Sequence, residues 1–333
     1  MMIVDMHCDT IALLRELRKK NNQEPCLRTC SGHLDLQKMQ KSGYLLQNFA
    51  LFVEMSECDD PWKEVQNLYA IYEEEMDKNA DVIGRVLRYE DIDKLRKQGK
   101  MAALLTVEEG GVCKGETAKL EQLYKQGVRM MTLTWNFENE IGYPHCYKSE
   151  TEGAGLKPRG FELVERMQEL GMIVDVSHLS DEGFWDVHKV MEKPFVASHS
   201  NAREICRSSR NMTDEMIKAL AEQGGVMGLN YCIPFVSEQF WREKDRGNLQ
   251  APIRGTDDYL QMLVSHAKHI ENLGGIECLG LGSDFDGIKT HESLAHAGEM
   301  EKFVDAMKKA GFTESRLDKI LYENVLRVYK EVI

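Results

Sequence analysis

The feature that most constrains the fold of this 333-residue chain is a repeated alternation of short apolar, β-branched runs with longer amphipathic stretches. This alternation is typical of βα units arranged around a parallel sheet. Eight of the runs have the length and composition of buried strands, and a closed (β/α)8 barrel of the TIM type contains eight strands. The predicted strands cover residues 3–7, 47–53, 102–108, 128–134, 173–178, 195–199, 225–231 and 278–285.

The stretches between these runs predict helices. Residues 118–127 and 161–171 have amphipathic patterns, and each ends in glycine just before the next predicted strand, as a helix C-cap does. A last amphipathic stretch at 314–332 predicts a helix that closes the barrel from outside.

The chain has no low-complexity linker, internal repeat or composition shift that would divide it. We therefore predict one α/β domain over residues 1–333, a single barrel with loop insertions near 54–100 and 232–256. The second insertion contains Trp241 and alternating charges, so it is either a lid over a site or an ordinary solvated loop.

The charge balance narrows the class of partner. A formal charge of -13 and a pI of 5.3 argue against binding to nucleic acid or to an anionic membrane, because both need a basic surface. Small-molecule partners are expected instead. No apolar run approaches the roughly 20 residues that span a bilayer, and the first residues do not resemble an export signal. These features predict a cytoplasmic protein.

Cysteine usage agrees with that location. The nine cysteines are scattered along the chain in an odd number, which favours reduced thiols over a disulfide framework. Cys26 and Cys30 lie close to His33 in the sequence, but a structural zinc site requires four ligands and no fourth lies nearby. We therefore predict a solvated loop there.

Six side chains that could bind a metal ion fall at the carboxyl ends of predicted strands. In a barrel these ends converge on one face, where the active site lies in essentially every characterised example. His188, His266 and His269, by contrast, fall in helical segments with charged neighbours and are predicted to lie at the surface. The strand-end residues are His7, Asp9, Glu109, His178, His199 and Asp284.

Three histidines and two or three carboxylates are more ligands than one catalytic zinc ion needs, and they suit two divalent ions that share a bridging carboxylate. Such a pair lowers the pKa of water toward neutrality and polarises a carbonyl or phosphoryl oxygen. Hydrolysis is therefore the expected chemistry.

The opening segment DMHCDT contains several of these candidates side by side. Alternate side chains of a strand share a face, so Asp5, His7 and Asp9 are predicted to point one way, and Met6 and Cys8 the other. We expect His7 and Asp9 to bind metal, Asp5 to orient them, and Cys8 to pack against the helices outside the barrel.

An ordered series of motifs from residue 3 to the C-terminus resembles the membrane dipeptidase (renal dipeptidase) family of zinc peptidases, here in a bacterial-type cytoplasmic form. The motifs are DMHCDT, VEEGG (107–111), MTLTWN (131–136), VDVSHLS (174–180), FVASHSNARE (195–204), SSRNMTDEM (208–216), GLGSDFDG (280–287) and ENVLRVYKEV (323–332).

The resemblance implies a barrel with two Zn²⁺ per chain that hydrolyses dipeptides, with tolerance for a D-residue at the C-terminal position. It implies that His7 and Asp9 hold one zinc ion, that His178 and His199 hold the other, and that Glu109 bridges them. Asp284 matches the residue that handles the proton of the attacking water and the leaving amine. Arg210 matches the arginine that binds the terminal carboxylate of the substrate. A homodimer is the assembly that family analogy suggests.

Two of these assignments have alternatives in the sequence itself. A guanidinium binds a carboxylate with two parallel hydrogen bonds, but Arg210 could equally be a surface arginine before a helix capped by Thr213. Asp286 competes with Asp284, since both lie on one face if the strand persists. The DFDG turn could also use Asp286 to bind backbone amides.

The chain departs from the family at one position. Where mammalian-type members have a histidine after TLT that contacts the substrate carbonyl or its oxyanion, this chain has Trp135. The indole donates one N–H but has no ionisable nitrogen. Asn136, Asn139 or His145 could supply a replacement donor, and the loss of one such donor typically costs on the order of a hundredfold to a thousandfold in turnover.

The sequence thus predicts a zinc-dependent dipeptidase. The first alternative is another two-metal hydrolase of the same barrel class, which acts on an N-acyl amino acid, a lactone or a phosphoester. The second alternative is a non-catalytic barrel that binds metal or peptide, with Trp135 as a sign of lost activity.

Overall fold

The computed structural model describes residues 1–20, 25–145, 154–238 and 256–333. Nine parallel strands are present in these ranges. They are β1 (Ile3–Asp5), β2 (Tyr44–Phe52), β3 (Ile83–Arg85), β4 (Met101–Glu108), β5 (Val128–Thr132), β6 (Ile173–Asp175), β7 (Val196–Ala197), β8 (Val226–Leu229) and β9 (Leu279–Leu281).

Eight of the strands close into a barrel, in the order β2-β1-β9-β8-β7-β6-β5-β4, and the ring is completed by pairing of β2 with β4. The ninth strand, β3, pairs with the first residues of β4 from outside this ring. All eight predicted strands are therefore confirmed, and the fold is the predicted (β/α)8 barrel. The observed strands are mostly shorter at their carboxyl ends than the predicted runs, which leaves the metal-capable residues in the loops that follow.

Helices surround the barrel. They are α1 (Thr10–Lys20), α2 (Leu36–Ser42), α3 (Pro61–Lys78), α4 (Tyr89–Lys97), α5 (Thr117–Lys125), α6 (Pro158–Leu170), α7 (Asp181–Val190), α8 (Asp214–Glu222), α9 (Ile233–Val236), α10 (Thr256–Gly274), α11 (Met300–Lys309), α12 (Glu314–Asp318) and α13 (Asn324–Val332). Among the described residues, no helix is both long enough and apolar enough to cross a membrane.

The segment 54–100 is not a loop insertion. It contains α3, β3 and α4, and β3 extends the sheet along the first half of β4. The prediction missed β3 because the strand has only three residues, IGR, one of which is glycine. Of the second predicted insertion, 232–256, residues 239–255 lie outside the described part of the chain, and Trp241 with them. Both interpretations of this segment, a solvated loop and a lid, stay predictions.

The strands present two different faces. Along β4, Ala102 and Leu104 belong to an inner apolar cluster, whereas Ala103, Leu105 and Val107 belong to the large cluster between the strands and the helices. This alternation follows from the period of two in a β-strand. Even-numbered residues of β4 therefore face the barrel interior.

The C-terminal helix occupies a different place from the one predicted. Val325, Val328 and Tyr329 of α13 join the inner cluster, whose barrel members, such as Val4 and Val226, lie near the amino ends of their strands. The Tyr329 hydroxyl and the Asn48 side-chain amide are hydrogen bonded at 2.7 Å. The helix thus closes the amino end of the barrel, and the other end stays available for a site.

The cysteines behave largely as predicted. Cys8 is fully buried in the outer cluster and contacts the carbonyl oxygen of Asn48. Cys26 and Cys30 contact backbone carbonyl oxygens in their own loop. Neither of the two metal-capable groups among the described residues contains a cysteine.

His266 in α10 is not at the surface, contrary to the prediction. It is fully buried; its Nδ1 accepts the backbone N–H of Ala202, and its Nε2 lies 3.1 Å from the carbonyl oxygen of Val236. The charged neighbours that suggested exposure occupy the other faces of the helix. His269, one turn further on, is half-buried and contacts Asp214.

Burial lowers the pKa of His266 from 6.5 to about 4. The unfolded chain therefore takes up a proton below pH 6.5 that the folded chain refuses, so stability present above pH 6.5 is lost as the pH falls toward 4. The loss is at most about 3 to 4 kcal/mol, at about 1.4 kcal/mol per pKa unit. Urea unfolding at pH 7 and pH 5 should show a smaller pH dependence for His266→Gln than for wild type. His269→Gln is the control. If the free energy of unfolding changes equally between pH 7 and pH 5 in wild type and in His266→Gln, then His266 is not the source of the pH dependence.

Candidate metal centre

Five polar side chains converge at the carboxyl end of the barrel. They follow or end β1, β4, β6, β7 and β9, and all are at least nine-tenths buried. Because parallel strands end on one side of a barrel, side chains that are far apart in sequence meet there. The five are His7, Glu108, His178, His199 and Asp284, and Asp9 joins them from the first turn before α1.

One group of ligand atoms forms around His7. Its Nε2 atom lies 3.2 Å from Glu108 Oε2, 3.5 Å from Asp9 Oδ2 and 3.9 Å from Asp284 Oδ1. The second group forms around the other two histidines. The Nε2 atoms of His178 and His199 are 3.0 Å apart and lie 3.1 and 3.6 Å from Glu108 Oε1. Glu108 thus presents one oxygen to each group.

The carboxylate between the histidines belongs to Glu108, and the predicted Glu109 does not reach them. Glu108 is the last residue of β4 and faces the interior with the other even-numbered residues. Glu109 has a φ of 84° and turns away. Its carboxylate accepts hydrogen bonds from the backbone N–H groups of Gly111 and Trp135 and from the Asn139 amide. Through these three hydrogen bonds, Glu109 holds together the loops that follow β4 and β5.

The alternation predicted for DMHCDT also needs correction. The strand β1 ends at Asp5, so the period of two stops there. Met6 lies in the inner cluster and Cys8 in the outer one, so these two do not share a face. His7 and Asp9 nevertheless converge, as expected. Asp5 Oδ1 accepts the backbone N–H of His7, so Asp5 supports the backbone of that residue.

The ionisable side chains of the site are buried and lie close to one another, and both conditions shift their pKa values. Burial raises the pKa of Glu108 to about 8 and that of Asp284 to about 6. Burial also lowers the pKa of His178 and of His199 well below the usual range. For His7 burial opposes protonation, but the charges of Glu108 and Asp9 outweigh it and raise its pKa well above the usual value.

A divalent cation would relieve this crowding, and the unpaired atoms offer a direct check of the fit. Among the described residues, both ring nitrogens of His7 and the Oδ1 atom of Asp9 are buried without a hydrogen-bond partner. Leaving such a group unpaired costs about 1–3 kcal/mol. Imidazole nitrogens and carboxylate oxygens without thiolates suit zinc and similar borderline ions. The residues present therefore fit a metal.

Asp284 and Asp286 have separate tasks. Asp284 Oδ2 accepts a hydrogen bond from Asn230 at 2.9 Å, and its Oδ1 faces His7. The Asp286 carboxylate accepts from the Thr10 hydroxyl at 2.7 Å and from the backbone N–H of His33 at 2.5 Å. The turn thus uses Asp286 to bind a backbone amide, which leaves Asp284 in the centre.

Arg210 is a buried residue of this site. It is 4% exposed, and its guanidinium donates to the Ser200 hydroxyl at 3.3 Å and to the carbonyl oxygen of His199 at 3.1 Å. Its Nε atom has no hydrogen-bond partner among the described residues. Thr213 does cap α8, as the alternative interpretation required, but Arg210 itself is not on the surface.

Trp135 lies in the wall of the site. Its ring packs 4.9 Å from that of Phe52, centroid to centroid, and 6.3 Å from that of His178. Asn136 Oδ1 lies 3.0 Å from both His178 Nδ1 and His145 Nε2. The His145 ring also packs edge-on against that of His178, with centroids 5.8 Å apart.

An open cavity of about 920 Å³ lies over these residues, a size suited to a small-molecule ligand. Ionisable groups of the metal centre form its floor, and aromatic rings form part of its sides. Its lining includes Asp9, Glu108, Asp284, His178, Asn136, Trp135, Phe52 and Phe235. Arg210, His145 and Asn139 are not part of that lining.

Four polar residues of the site were not predicted from the sequence. They are Glu108, Asn230, Ser198, whose hydroxyl contacts His199, and Asp175, whose carboxylate contacts Ser198. Glu108 has the same parity along β4 as Ala102 and Leu104, but only the packing of those two residues in the inner cluster shows that this parity faces the interior. Asn230, one residue after the end of β8, carried the same strand-end signal as the metal-capable residues.

Comparison with known proteins adds independent information. The family model described as membrane dipeptidase, peptidase family M19, matches residues 1–333. An uncharacterized protein from the pqqA 5' region of Klebsiella pneumoniae is 31% identical over 279 residues, which are 82% of this chain and 97% of that protein. An uncharacterized dipeptidase of Schizosaccharomyces pombe is 30% identical and covers 99% of this chain and 80% of its own length.

A solved structure has the same fold. It is that of a metallo peptidase from Rhodobacter sphaeroides liganded with a phosphinate mimic of the dipeptide L-Ala-D-Ala. The TM-score is 0.87 at 22% sequence identity, over 100% of this chain and 99% of that one.

Proposed function

The chain belongs to the membrane dipeptidase family, peptidase family M19, and from this membership we propose that it is a zinc-dependent dipeptidase with two metal ions per chain. Family membership makes it a metal-dependent hydrolase that acts on peptide bonds, and it argues against a non-catalytic barrel. The zinc identity, the number of ions and the choice of substrate are the parts that we add.

The position of the Glu108 carboxylate carries the proposal of two ions. One of its oxygens faces His7 and Asp9, and the other faces His178 and His199. We therefore assign His7 and Asp9 to one ion, His178 and His199 to the other, and Glu108 to both. This replaces the predicted bridge through Glu109. A pair of zinc ions supplies Lewis-acid chemistry, which lowers the pKa of water toward neutrality and polarises a carbonyl oxygen.

Asp284 is the residue we assign to proton transfer. Its Oδ1 atom is directed at the centre of the site, while Asn230 holds Oδ2 and so fixes the orientation of the carboxyl group. A carboxylate placed in this way can take the proton of the attacking water and give it to the departing amine. Asp286, bound to Thr10 and His33, is not free for this task.

Arg210 is the residue we assign to the terminal carboxylate of the dipeptide. Its guanidinium is held from behind by Ser200 and by the backbone of His199, beside the metal centre. Guanidinium binds a carboxylate with charge-assisted hydrogen bonds, and a dipeptide places its carboxylate only one residue from the scissile bond. The depth of Arg210 would therefore select short substrates.

The stereochemical preference is the least constrained part of the proposal. The Rhodobacter sphaeroides neighbour is liganded with a mimic of L-Ala-D-Ala, and we propose the same tolerance of a C-terminal D-residue here. Trp135 lines the cavity in place of the family histidine, so we assign it to contact with the substrate, with Asn136 as the nearest polar side chain in that loop. His145, whose Nε2 atom lies 3.0 Å from Asn136 Oδ1, is the other candidate substrate contact in that loop.

We also propose a cytoplasmic homodimer, which rests on the sequence alone. Nine scattered cysteines, an odd number, suit a reducing compartment. Family analogy suggests the dimer, and sedimentation of the purified protein would check it.

A metal assay with a dipeptide panel tests the proposed function. Purified protein should contain close to two zinc ions per chain and should release free amino acids from L,L and L,D dipeptides. Removal of metal with a chelator should abolish this activity, and added zinc should restore it, because the chemistry depends on the ions. Full activity of the metal-free protein would overturn the proposal.

A further inference from the structure

The carboxylate of Asp175 lies directly behind the metal centre. Asp175 ends β6 and is fully buried. Its Oδ1 atom accepts the backbone N–H groups of Ser177 at 3.0 Å and of Ser198 at 2.8 Å, so it ties the end of β6 to the end of β7. His178 and His199 lie in the loops that follow these two strands. Asp175 therefore fixes the spacing between the loops that hold this pair of imidazoles.

The second oxygen of Asp175 reaches one of the imidazoles through a hydroxyl group. Oδ2 accepts hydrogen bonds from the hydroxyls of Thr132 and Ser198, both at 2.6 Å. The Ser198 oxygen in turn lies 2.7 Å from Nδ1 of His199. A carboxylate offers only lone pairs, so the single hydroxyl proton of Ser198 points to Asp175. Ser198 can then only accept at His199, and the proton between them belongs to Nδ1.

We propose that Asp175, acting through Ser198, is a positioning residue that holds His199 as the Nδ1–H tautomer. The other ring nitrogen, Nε2, then carries a lone pair and faces Glu108 and His178. This is the form of imidazole that binds a metal ion. The inference rests on the proposed function, because it gives His199 the role of a metal ligand.

The three histidines of the centre differ in this respect. His178 Nδ1 lies against the neutral amide of Asn136, and His7 Nδ1 has no hydrogen-bond partner among the described residues. In the described part of the chain, His199 is thus the histidine of the centre whose outer nitrogen is linked to a buried carboxylate by one hydroxyl. We expect the ion at His199 to depend most on this outer support.

We call the hydrogen-bonded series Asp175–Ser198–His199 the relay. Two variants and a matched control separate an effect of the relay from a general loss of packing around these residues. Ser198→Ala removes the acceptor at Nδ1 and should weaken zinc binding about 10–100-fold, the usual cost of losing such a partner. Asp175→Asn can place an N–H donor against Ser198, which turns the Ser198 proton toward His199 and favours the wrong tautomer, so its loss should be at least as large. Thr132→Val removes the other hydroxyl on Oδ2 but leaves the Ser198 contact with His199 intact.

Zinc affinity is measured by competition with a chromophoric chelator on metal-free protein, together with the unfolding temperature of each variant. The tautomer is read by nitrogen NMR of metal-free wild type labelled at histidine, with His199→Gln to assign the signal. The proposal expects the Nδ1–H form in wild type and a much smaller loss of affinity for Thr132→Val than for Ser198→Ala.

The outcomes distinguish this inference from the proposed function. Wild-type protein that binds no zinc would overturn the proposed function itself. Wild type that binds zinc, but in which His199 carries its proton on Nε2, would overturn the relay even if no variant folds. Equal losses in Ser198→Ala and Thr132→Val, or no loss in Ser198→Ala, would overturn it as well.

Discussion

Glu108→Gln is expected to lose activity by more than about a hundredfold and to retain less than two zinc ions per chain. Even the partners that support metal ligands cost about 10–100-fold when they are removed, and Glu108 faces both groups of ligands directly. The amide that replaces the carboxylate is neutral and directs an N–H donor at one group. Dipeptide turnover and zinc content of the purified variant are the measurements.

Glu109→Gln is the matched control, since it makes the same chemical change one residue away. Glu109 accepts three hydrogen bonds that hold its loop, and the new N–H₂ group would face a donor. Hydrogen bonds to charged groups contribute about 1.5–3 kcal/mol each, so this variant should unfold at a lower temperature yet keep its zinc. If Glu109→Gln loses zinc and Glu108→Gln keeps it, the assignment of the bridging carboxylate is wrong.

Arg210→Met is expected to raise KM steeply for dipeptides with a free carboxylate. Truncating one partner of a buried charged pair costs about 2–5 kcal/mol, which is on the order of thirtyfold to several thousandfold in kcat/KM. Steady-state kinetics with a dipeptide and with its C-terminal amide measure the effect. Wild type should prefer the dipeptide, and the variant should lose that preference.

Arg210 also donates to the carbonyl oxygen of His199, so its replacement could disturb the metal centre. The zinc content of the variant is therefore measured as a control. A variant that keeps its zinc and still loses the preference would place the defect in carboxylate recognition. An unchanged KM for the dipeptide would instead favour an uncharged substrate, such as a lactone or a phosphoester, at the same metal centre.

The barrel was predictable because its signal is repeated along the whole chain. Each strand is a short apolar run bounded by turn residues, and the metal-capable residues recur at the ends of these runs. Parallel topology then brings His7, His178, His199 and Asp284 to one face without any further information. The strand β3 was not predicted, because its three residues, IGR, do not form an apolar run.

The choice between Glu108 and Glu109 was beyond the sequence for a physical reason. A strand buried on both faces is apolar throughout, and MAALLTV gives no alternation from which the inward face could be read. The motif EEGG offers two acids in a row, and a shift of one residue exchanges the faces. Only the packing of Ala102 and Leu104 against the inner cluster decides the register.

The surroundings of the ligands were hidden for a different reason. Asp175 and Ser198 look like ordinary strand-end polar residues in the sequence, and their role depends on contacts between neighbouring strands. His266 illustrates the reverse case, since charged neighbours along a helix do not show which face is buried.

The proposed pair of zinc sites is tested best by a crystal structure of the zinc-loaded protein, with anomalous diffraction measured at the zinc absorption edge. Two anomalous peaks per chain are expected, one between His7 and Asp9 and one between His178 and His199, with the Glu108 carboxylate in contact with both. A single peak, or a peak coordinated by Glu109 in place of Glu108, would contradict it.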